Sequence, residues 1–475
     1  MAHWLKDRGF EAYAVRGGVA ALHERTSPVS GAEPLAGLED AKAPGRALAA
    51  LRHRRFRLYS AGLLLSLTGK AVEAAAFGFV VLLVGGSAAT LGLIGFLSTI
   101  PNLVFALPGG VLADRYDRRK LLLAFQGASM AIPVSLGVLW VTDSLTVPLM
   151  GALALAGGVL GALSFPAFQG MLASTVPRED LESAVAINSM SMQVARFAGP
   201  AIAGFLLAAA GPGWIFAVNA AGFPAVLITL ALLPGSRGLA GESTGKLGGA
   251  MRDGLHYVFG QRSMASLMVL TILGGIFATP AVAFMLPAIV RFQLDAGGGT
   301  LGALTALIGL GSVFGAVALL ALSRRPNKGE PILAGYFLTA LAIAAIGAST
   351  STPLSLGLGV VGGFGGVVFV GLSTVVVQSM STDEMRARAM AIWAAAFVGV
   401  LPLGGLTTAG LAAWLGPGGA VVVDGVVALV GGLVVLAARP EVAWLGCAAL
   451  PEACVAATDP VAVALEAELD GASRP

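Results

Sequence analysis

Apolar residues in this chain gather into runs of about twenty or more, and polar residues fall into the short loops between them. Such runs match helices crossing a hydrocarbon layer of roughly 30 Å. Candidate spans lie near 56–84, 90–113, 120–141, 147–173, 184–210, 213–234, 263–291, 300–322, 331–350, 353–379, 387–413 and 418–438. Twelve crossings are predicted, which makes the fold an all-α integral membrane one. Inside lipid no water binds the backbone, so each apolar run must satisfy its own N–H and C=O groups as a helix.

Three stretches break this rhythm. Residues 1–55 carry charges throughout and lack the apolar centre of a cleaved leader, so they are expected to form a polar cytoplasmic extension. The polar, Gly-rich segment 235–262 is the longest interruption between spans. It is expected to link a first six-helix bundle, 56–234, to a second, 263–438. Residues 439–475 form an acidic, Ala-rich cytoplasmic tail with Glu441, Glu452, Asp459, Glu466, Glu468 and Asp470. Sliding the chain by about 205 residues supports a duplication. STVPREDLESAVAI from Ser174 overlays SMSTDEMRARAMAI from Ser379, with identities at Ser174, Glu179, Ala184, Ala186 and Ile187. At the same offset Arg57 overlays Arg262 and Gly110 overlays Gly315.

Charge sets the expected orientation. Arg and Lys concentrate in loops after even-numbered spans: Arg115, Arg118, Arg119 and Lys120 after the second, Arg178 after the fourth, and Arg237, Lys246, Arg252 and Arg262 after the sixth. Arg324, Arg325 and Lys328 follow the eighth, and Arg386 and Arg388 the tenth, while the opposite loops are nearly uncharged apart from Arg291. Both termini are therefore expected in the cytoplasm. A mean hydropathy of +0.85 with 12% charged residues excludes a water-soluble globular domain. The net charge of +3 is scattered over loops and forms no patch, so no nucleic-acid partner is expected. Cys447 and Cys454 have neither zinc-knuckle nor CxxC spacing and read as free thiols.

The loop after the second span reads GGVLADRYDRRKLLL, with Gly110 four residues before Asp114, then Arg115, Asp117, Arg118 and Arg119. It resembles the loop signature of the major facilitator superfamily. The fifth span reads NSMSMQVARFAGPAIAGFLL, and its Asn188, Gly199, Pro200 and Gly204 resemble the enterobactin-exporter-like and multidrug efflux branch of that superfamily. Asp117, where the broad family usually has Gly, fits the same branch. Phe168 stands where related exporters often carry Arg, so that residue's role does not carry over. The resemblance covers about residues 56–438. It implies two six-helix bundles around a central cavity in a bacterial plasma membrane. It further implies efflux of a small amphipathic or siderophore-like compound, powered by the proton gradient with no bound cofactor. It implies that Asp114 pairs with Arg118 and caps the eleventh span near Arg386, closing the cytoplasmic side. A carboxylate favours the positive end of a helix dipole, which is the physical basis of such a latch.

Lys70, Glu73 and Arg196 lie near the middle of their spans, where an ionisable group costs a few kcal/mol unless it faces a cavity or a partner. Lys70 and Glu73, three residues apart, share a helix face, and Arg196 shares one with Gln193 and Pro200. All three are expected to border one aqueous cavity, with a Glu73–Arg196 contact geometrically open. Burial and a neighbouring cation act in opposite senses on the protonation of Glu73, so substrate binding beside it offers a coupling mechanism. A permanent ion pair that only fixes helix packing is the alternative. Asp424 in the twelfth span is expected to be a solvated residue or cap. Gln169, Gln193, Gln378, Ser373 and Thr374 are expected polar anchors for substrate.

Other signals carry little. GLGVVG at Gly357 lies within an apolar span, and GESTGKL at Gly241 has the wrong spacing for a phosphate loop, so no ATPase is expected. His3, His23, His53 and His256 show no metal spacing, no nucleophile elbow is evident, and no enzyme is expected. The expected partners are a small-molecule substrate and membrane lipid, with the chain acting as a monomer. The rival readings are an uptake symporter of the same fold and a membrane sensor or lipid-handling protein that does not cycle.

Overall fold

The structure is a computed structural model and describes residues 10–14, 20–24, 33–34, 49–233 and 247–445. Cys447, Cys454, Arg237, Lys246 and the acidic tail beyond 445 lie outside the described residues, as do the side chains of Arg178, Gln193 and Arg196. In the N-terminal extension three short strands, β1 (Phe10–Ala14), β2 (Ala20–Glu24) and β3 (Glu33–Pro34), form an antiparallel sheet in the order β2-β1-β3.

The chain then continues as long apolar helices: α1 (Arg54–Leu83), α2 (Ala88–Arg115), α3 (Arg118–Val141), α4 (Val147–Ala173), α5 (Leu181–Ala209) and α6 (Pro212–Leu232). A linker helix, Leu247–Gly260, precedes the second set: α7 (Arg262–Gln293), α8 (Gly298–Leu322), α9 (Gly329–Ala348), α10 (Thr352–Met380), α11 (383–415) and α12 (417–438). Among the described residues ten helices are long and apolar enough to cross a membrane as continuous runs. The run Glu384–Ala438 is two crossings, because Gly416 has φ 73° and ψ 174° and turns the chain back on itself. The apolar Ala198–Ala209 belongs to α5 and completes the twelve.

Duplication is written into that turn. Gly211 and Gly416, about 205 residues apart, each precede a Pro and adopt nearly the same backbone, φ 84° with ψ 173° and φ 73° with ψ 174°. Only Gly takes this conformation without strain, and the Pro that follows starts the next helix. The repeated Gly-Pro-Gly was a readable sign of the repeat in the sequence. Exposed Trp214 and Trp414 flank the two turns, as expected of aromatic anchors at a membrane interface.

The chain forms two compact units. In one, residues 1–60 with 172–190, His53 Nε2 meets Asp180 Oδ2 at 2.7 Å and the Ala50 amide donates to Ser183 Oγ at 3.2 Å. The other, 61–171 with 191–475, holds most of the helical bundle. Within it small residues let backbones approach, since van der Waals packing has to hold helices together where lipid is as apolar as Leu. A Cβ built on Gly109 of α2 would lie 2.9 Å from the Ala162 carbonyl of α4, and in the second half one built on Gly315 of α8 would lie 2.7 Å from the Phe364 carbonyl of α10. Gly110, singled out in the sequence, meets nothing within 4 Å, so the close-contact glycine of that motif is its neighbour.

Across the two halves the tight contacts gather at the end of the bundle where α1 runs into α2 and α5 into α6. Gly78 of α1 abuts Pro287 of α7, Gly92 of α2 abuts the Gly405 carbonyl of α11, and Gly204 of α5 abuts Gly302 of α8. Buried Val80, Leu91, Met285, Ile289 and Ala412 fill the same zone. That end is therefore sealed in this conformation.

Candidate functional site

Lys70 lies about 25 Å along α1 at roughly 1.5 Å per residue, near mid-depth. It and Glu73, one turn on, are half-buried and line a cavity of about 600 Å³. The cavity wall comes from α1, α2, α3, α4 and α6 of the first half and from α7 and α8 of the second. Its polar lining includes Ser98, Asn102, Ser129, Asn219 and Thr305, set among Ile94, Leu153, Phe223, Phe284 and Pro287. A greasy wall with few polar anchors binds a small organic molecule and orients it through those anchors.

The two charges look to different partners. Lys70 Nζ donates to Gln126 Oε1 at 3.5 Å and sits 5.3 Å from the centroid of the Phe223 ring, a cation–π contact. Glu73 Oε2 accepts from Asn219 Nδ2 at 2.8 Å. Among the described residues no ion pair joins Lys70 to Glu73. Gln126 Nε2 and Asn219 Oδ1 are buried without a partner. Asn219 reaches Glu73 because α6 lies directly on α1: a Cβ on Gly69 would fall 2.9 Å from the Asn219 Cα. Neither Gln126 nor Asn219 stood out in the sequence, because nothing short of the helix packing points an amide on α3 or α6 at α1.

Glu73 bonds Asn219 among the described residues; the Arg196 side chain, whose contact with Glu73 the sequence leaves open, lies outside them, as does that of Gln193. Their helix is nevertheless placed beside the charges, since a Cβ on Gly199 would lie 2.5 Å from Ala71 Cβ. Pro200 continues α5 within its helical run. Asn188 Oδ1 is buried and unpartnered. The remaining expected anchors do not line this cavity. Gln169 and Gln378 are exposed elsewhere, Ser373 is fully buried, and Thr374 donates to its own helix at Val370.

At the end of α2 the structure pairs Arg118 Nη2 with Asp114 Oδ1 at 3.7 Å, while Arg118 also donates to the carbonyls of Ala113 and Gly170, both at 3.3 Å. Arg115 is exposed. Asp114 is 64% exposed, and among the described residues it makes no cap on the start of α11; Arg386 Nε donates to the Gln378 carbonyl at 3.2 Å. The halves meet on the opposite side here, which leaves the carboxylate without the second bundle to reach.

The same loop does two further things. Asp117 N-caps α3, accepting from the amides of Arg119 at 2.9 Å and Lys120 at 3.4 Å. Arg119 donates to the carbonyls of Leu230 at 2.9 Å and Ala231 at 2.5 Å, neutralising the negative end of α6. Asp117→Ala is expected to lower stability by about 1 kcal/mol, read as a fall in unfolding midpoint in detergent, whereas Asp117→Ser should retain most of it.

Asp424 corrects the sequence reading outright. It is fully buried in α12, with Oδ2 accepting from Thr408 Oγ1 of α11 at 2.7 Å and Oδ1 left without a partner. The Gly416 turn folds α12 back along α11, which carries Asp424 inward beside Thr408. Thr408→Val should leave both oxygens unpartnered and cost about 1–3 kcal/mol. A variant as heat-resistant as the parent would show that this bond contributes nothing.

A duplicated twelve-helix bundle around a cavity lined by two opposite charges is the architecture of a membrane transporter of the major facilitator type, the class that the comparisons give this chain. The bundle superimposes on the nucleoside transporter NupG with a TM-score of 0.65 at 12% identity, covering 81% of this chain and 98% of that one. It matches a D-xylose-proton symporter at 0.64 and 15% identity, covering 82% and 98%. An inward-facing, unoccupied bacterial homolog of the human lysosomal transporter Spinster matches at 0.60 and 15%, covering 86% and 98%. In sequence, the enterobactin exporter EntS of Escherichia coli (strain HS) is 28% identical over 316 residues, 65% of this chain and 73% of that protein, and EntS of Escherichia fergusonii gives the same figures. The profile of the family described as transmembrane secretion effector matches residues 45–456, and the chain belongs to that family, in the EntS-like branch of the major facilitator superfamily. It is a multi-pass membrane transporter and not an enzyme.

Proposed function

We propose that the protein exports a small amphipathic or siderophore-like compound across the bacterial plasma membrane by alternating access, driven by the proton gradient without a bound cofactor. The observation that carries this reading is the two ionisable side chains, Lys70 and Glu73, that line a mid-depth cavity whose halves are packed together at the end where α1 runs into α2. With basic loops in the cytoplasm, that sealed side is the exterior, and the cavity loads from within. The likeness to proteins named as enterobactin exporters supports the outward direction. Glu73 exchanges its proton as substrate binds and leaves, because a carboxyl between an apolar wall and a cation responds to whatever displaces water beside it. Asp114 and Arg118 then close the cytoplasmic end when the halves rock together, Asp114 moving from solvent to the start of α11. The chain works as a monomer, since one duplicated bundle encloses the whole cavity.

Reconstitution tests this. Liposomes holding the purified protein, a pool of candidate metabolites and an imposed pH gradient should accumulate at least one compound against its gradient, measured by mass spectrometry. Movement of none under either gradient polarity would overturn the proton-driven export proposed here.

A further inference from the structure

The charges in the cavity are opposite, one helical turn apart, and incompletely bonded. An ammonium offers three donors, yet among the described residues Lys70 has one polar contact, the 3.5 Å bond to Gln126, and one ring face. A carboxylate offers about four acceptor sites; among the same residues Glu73 receives one bond, from Asn219. The amides are oriented by these charges: Gln126 presents its oxygen to the cation and Asn219 its NH2 to the anion. Each amide pays for that orientation with a buried atom lacking a partner. Neither charge neutralises the other by direct pairing, and both face the cavity.

We propose that the cavity selects molecules bearing an anionic and a cationic group on one apolar frame, the anion taken by Lys70 and the cation by Glu73. This rests on the transporter reading above and adds the substrate's charge class. A singly charged ligand satisfies one side chain and leaves the other charge covered by an apolar body, and a neutral ligand leaves both so. A dipolar ligand satisfies both at once. Residues three apart on a helix place their Cβ atoms about 5–6 Å apart, so one small ligand can meet both side chains. Phe223, Phe284, Leu153 and Ile94 hold the frame, and a cavity of about 600 Å³ admits a body of dipeptide size or somewhat larger.

The test uses three compounds with one apolar body: the dipeptide Phe-Phe as a zwitterion, its C-terminal amide as a cation, and its N-acetyl derivative as an anion. Each is titrated calorimetrically into the purified full chain in lipid nanodiscs at neutral pH. The zwitterion is expected to bind about tenfold or more tighter than either relative. In Lys70→Gln the zwitterion and the N-acetyl compound should weaken by about that factor while the amide is unchanged, and Glu73→Gln should do the reverse. Lys70→Arg, which keeps the charge, should keep the preference and guards against a folding defect in the Gln variant. A zwitterion that binds no tighter than its better relative, or no binding by any of the three, overturns the proposal. The same compounds in the reconstituted flux assay separate the two failures. Movement of the amide or the N-acetyl compound without the zwitterion sinks the charge pairing and leaves the transporter standing, and movement of nothing under either gradient sinks both.

Discussion

Glu73→Gln is expected to uncouple transport from the proton gradient. Glutamine keeps the oxygen that accepts from Asn219 Nδ2 and the volume that fills this side of α1, so the helix packing at Gly69 and Gly222 is preserved. What is lost is the one titratable carboxyl among the cavity-lining residues. At saturating substrate the variant should still exchange substrate downhill, while accumulation driven by a pH gradient falls by about tenfold or more, the loss of about 1.4 kcal/mol of coupling. Parallel measurement of substrate and proton flux in liposomes checks it. Undiminished accumulation would return Glu73 to the alternative in which its charge only holds α6 against α1.

The second large effect is expected at a position without chemistry. A Cβ on Gly204 would fall on the Cα of Gly302, where α5 crosses α8 between the two halves. Gly204→Val therefore forces the helices apart on the sealed side, and overpacking of this kind costs about 1–3 kcal/mol. Only the conformation closed on that side makes the contact, so the cost shifts the population toward the one open there. With Thr305, which lines the cavity, replaced by Cys and the two native cysteines removed, a membrane-impermeant thiol reagent added from that side should react about tenfold faster in the Gly204→Val background. Equal labelling rates with normal stability would mean that the crossing is not part of the seal.

Much of this architecture was legible before any packing was known. Apolar run length sets the crossing number, since a helix in lipid has to be both long enough and free of uncompensated charge. The twelve spans and the 205-residue repeat follow from patterns along the chain, and so do Lys70 and Glu73 as charges with no business in lipid unless they face a cavity. The Gly110 motif was visible too, although its contact falls on Gly109, because two adjacent glycines differ by about 100° of helix turn and the sequence does not say which one faces α4.

Partners across helices were a different matter. That Glu73 bonds Asn219, that Lys70 bonds Gln126, and that Asp424 turns inward to Thr408 depend on the rotation of each helix about its own axis. A span that is apolar all round carries no periodic signal to fix that rotation. Hydropathy by itself determined how many times the chain crosses. Tertiary packing, through the close approach of small residues, decided which buried polar groups meet and which end of the cavity is shut, because those contacts join positions scores of residues apart whose local sequences are equally greasy.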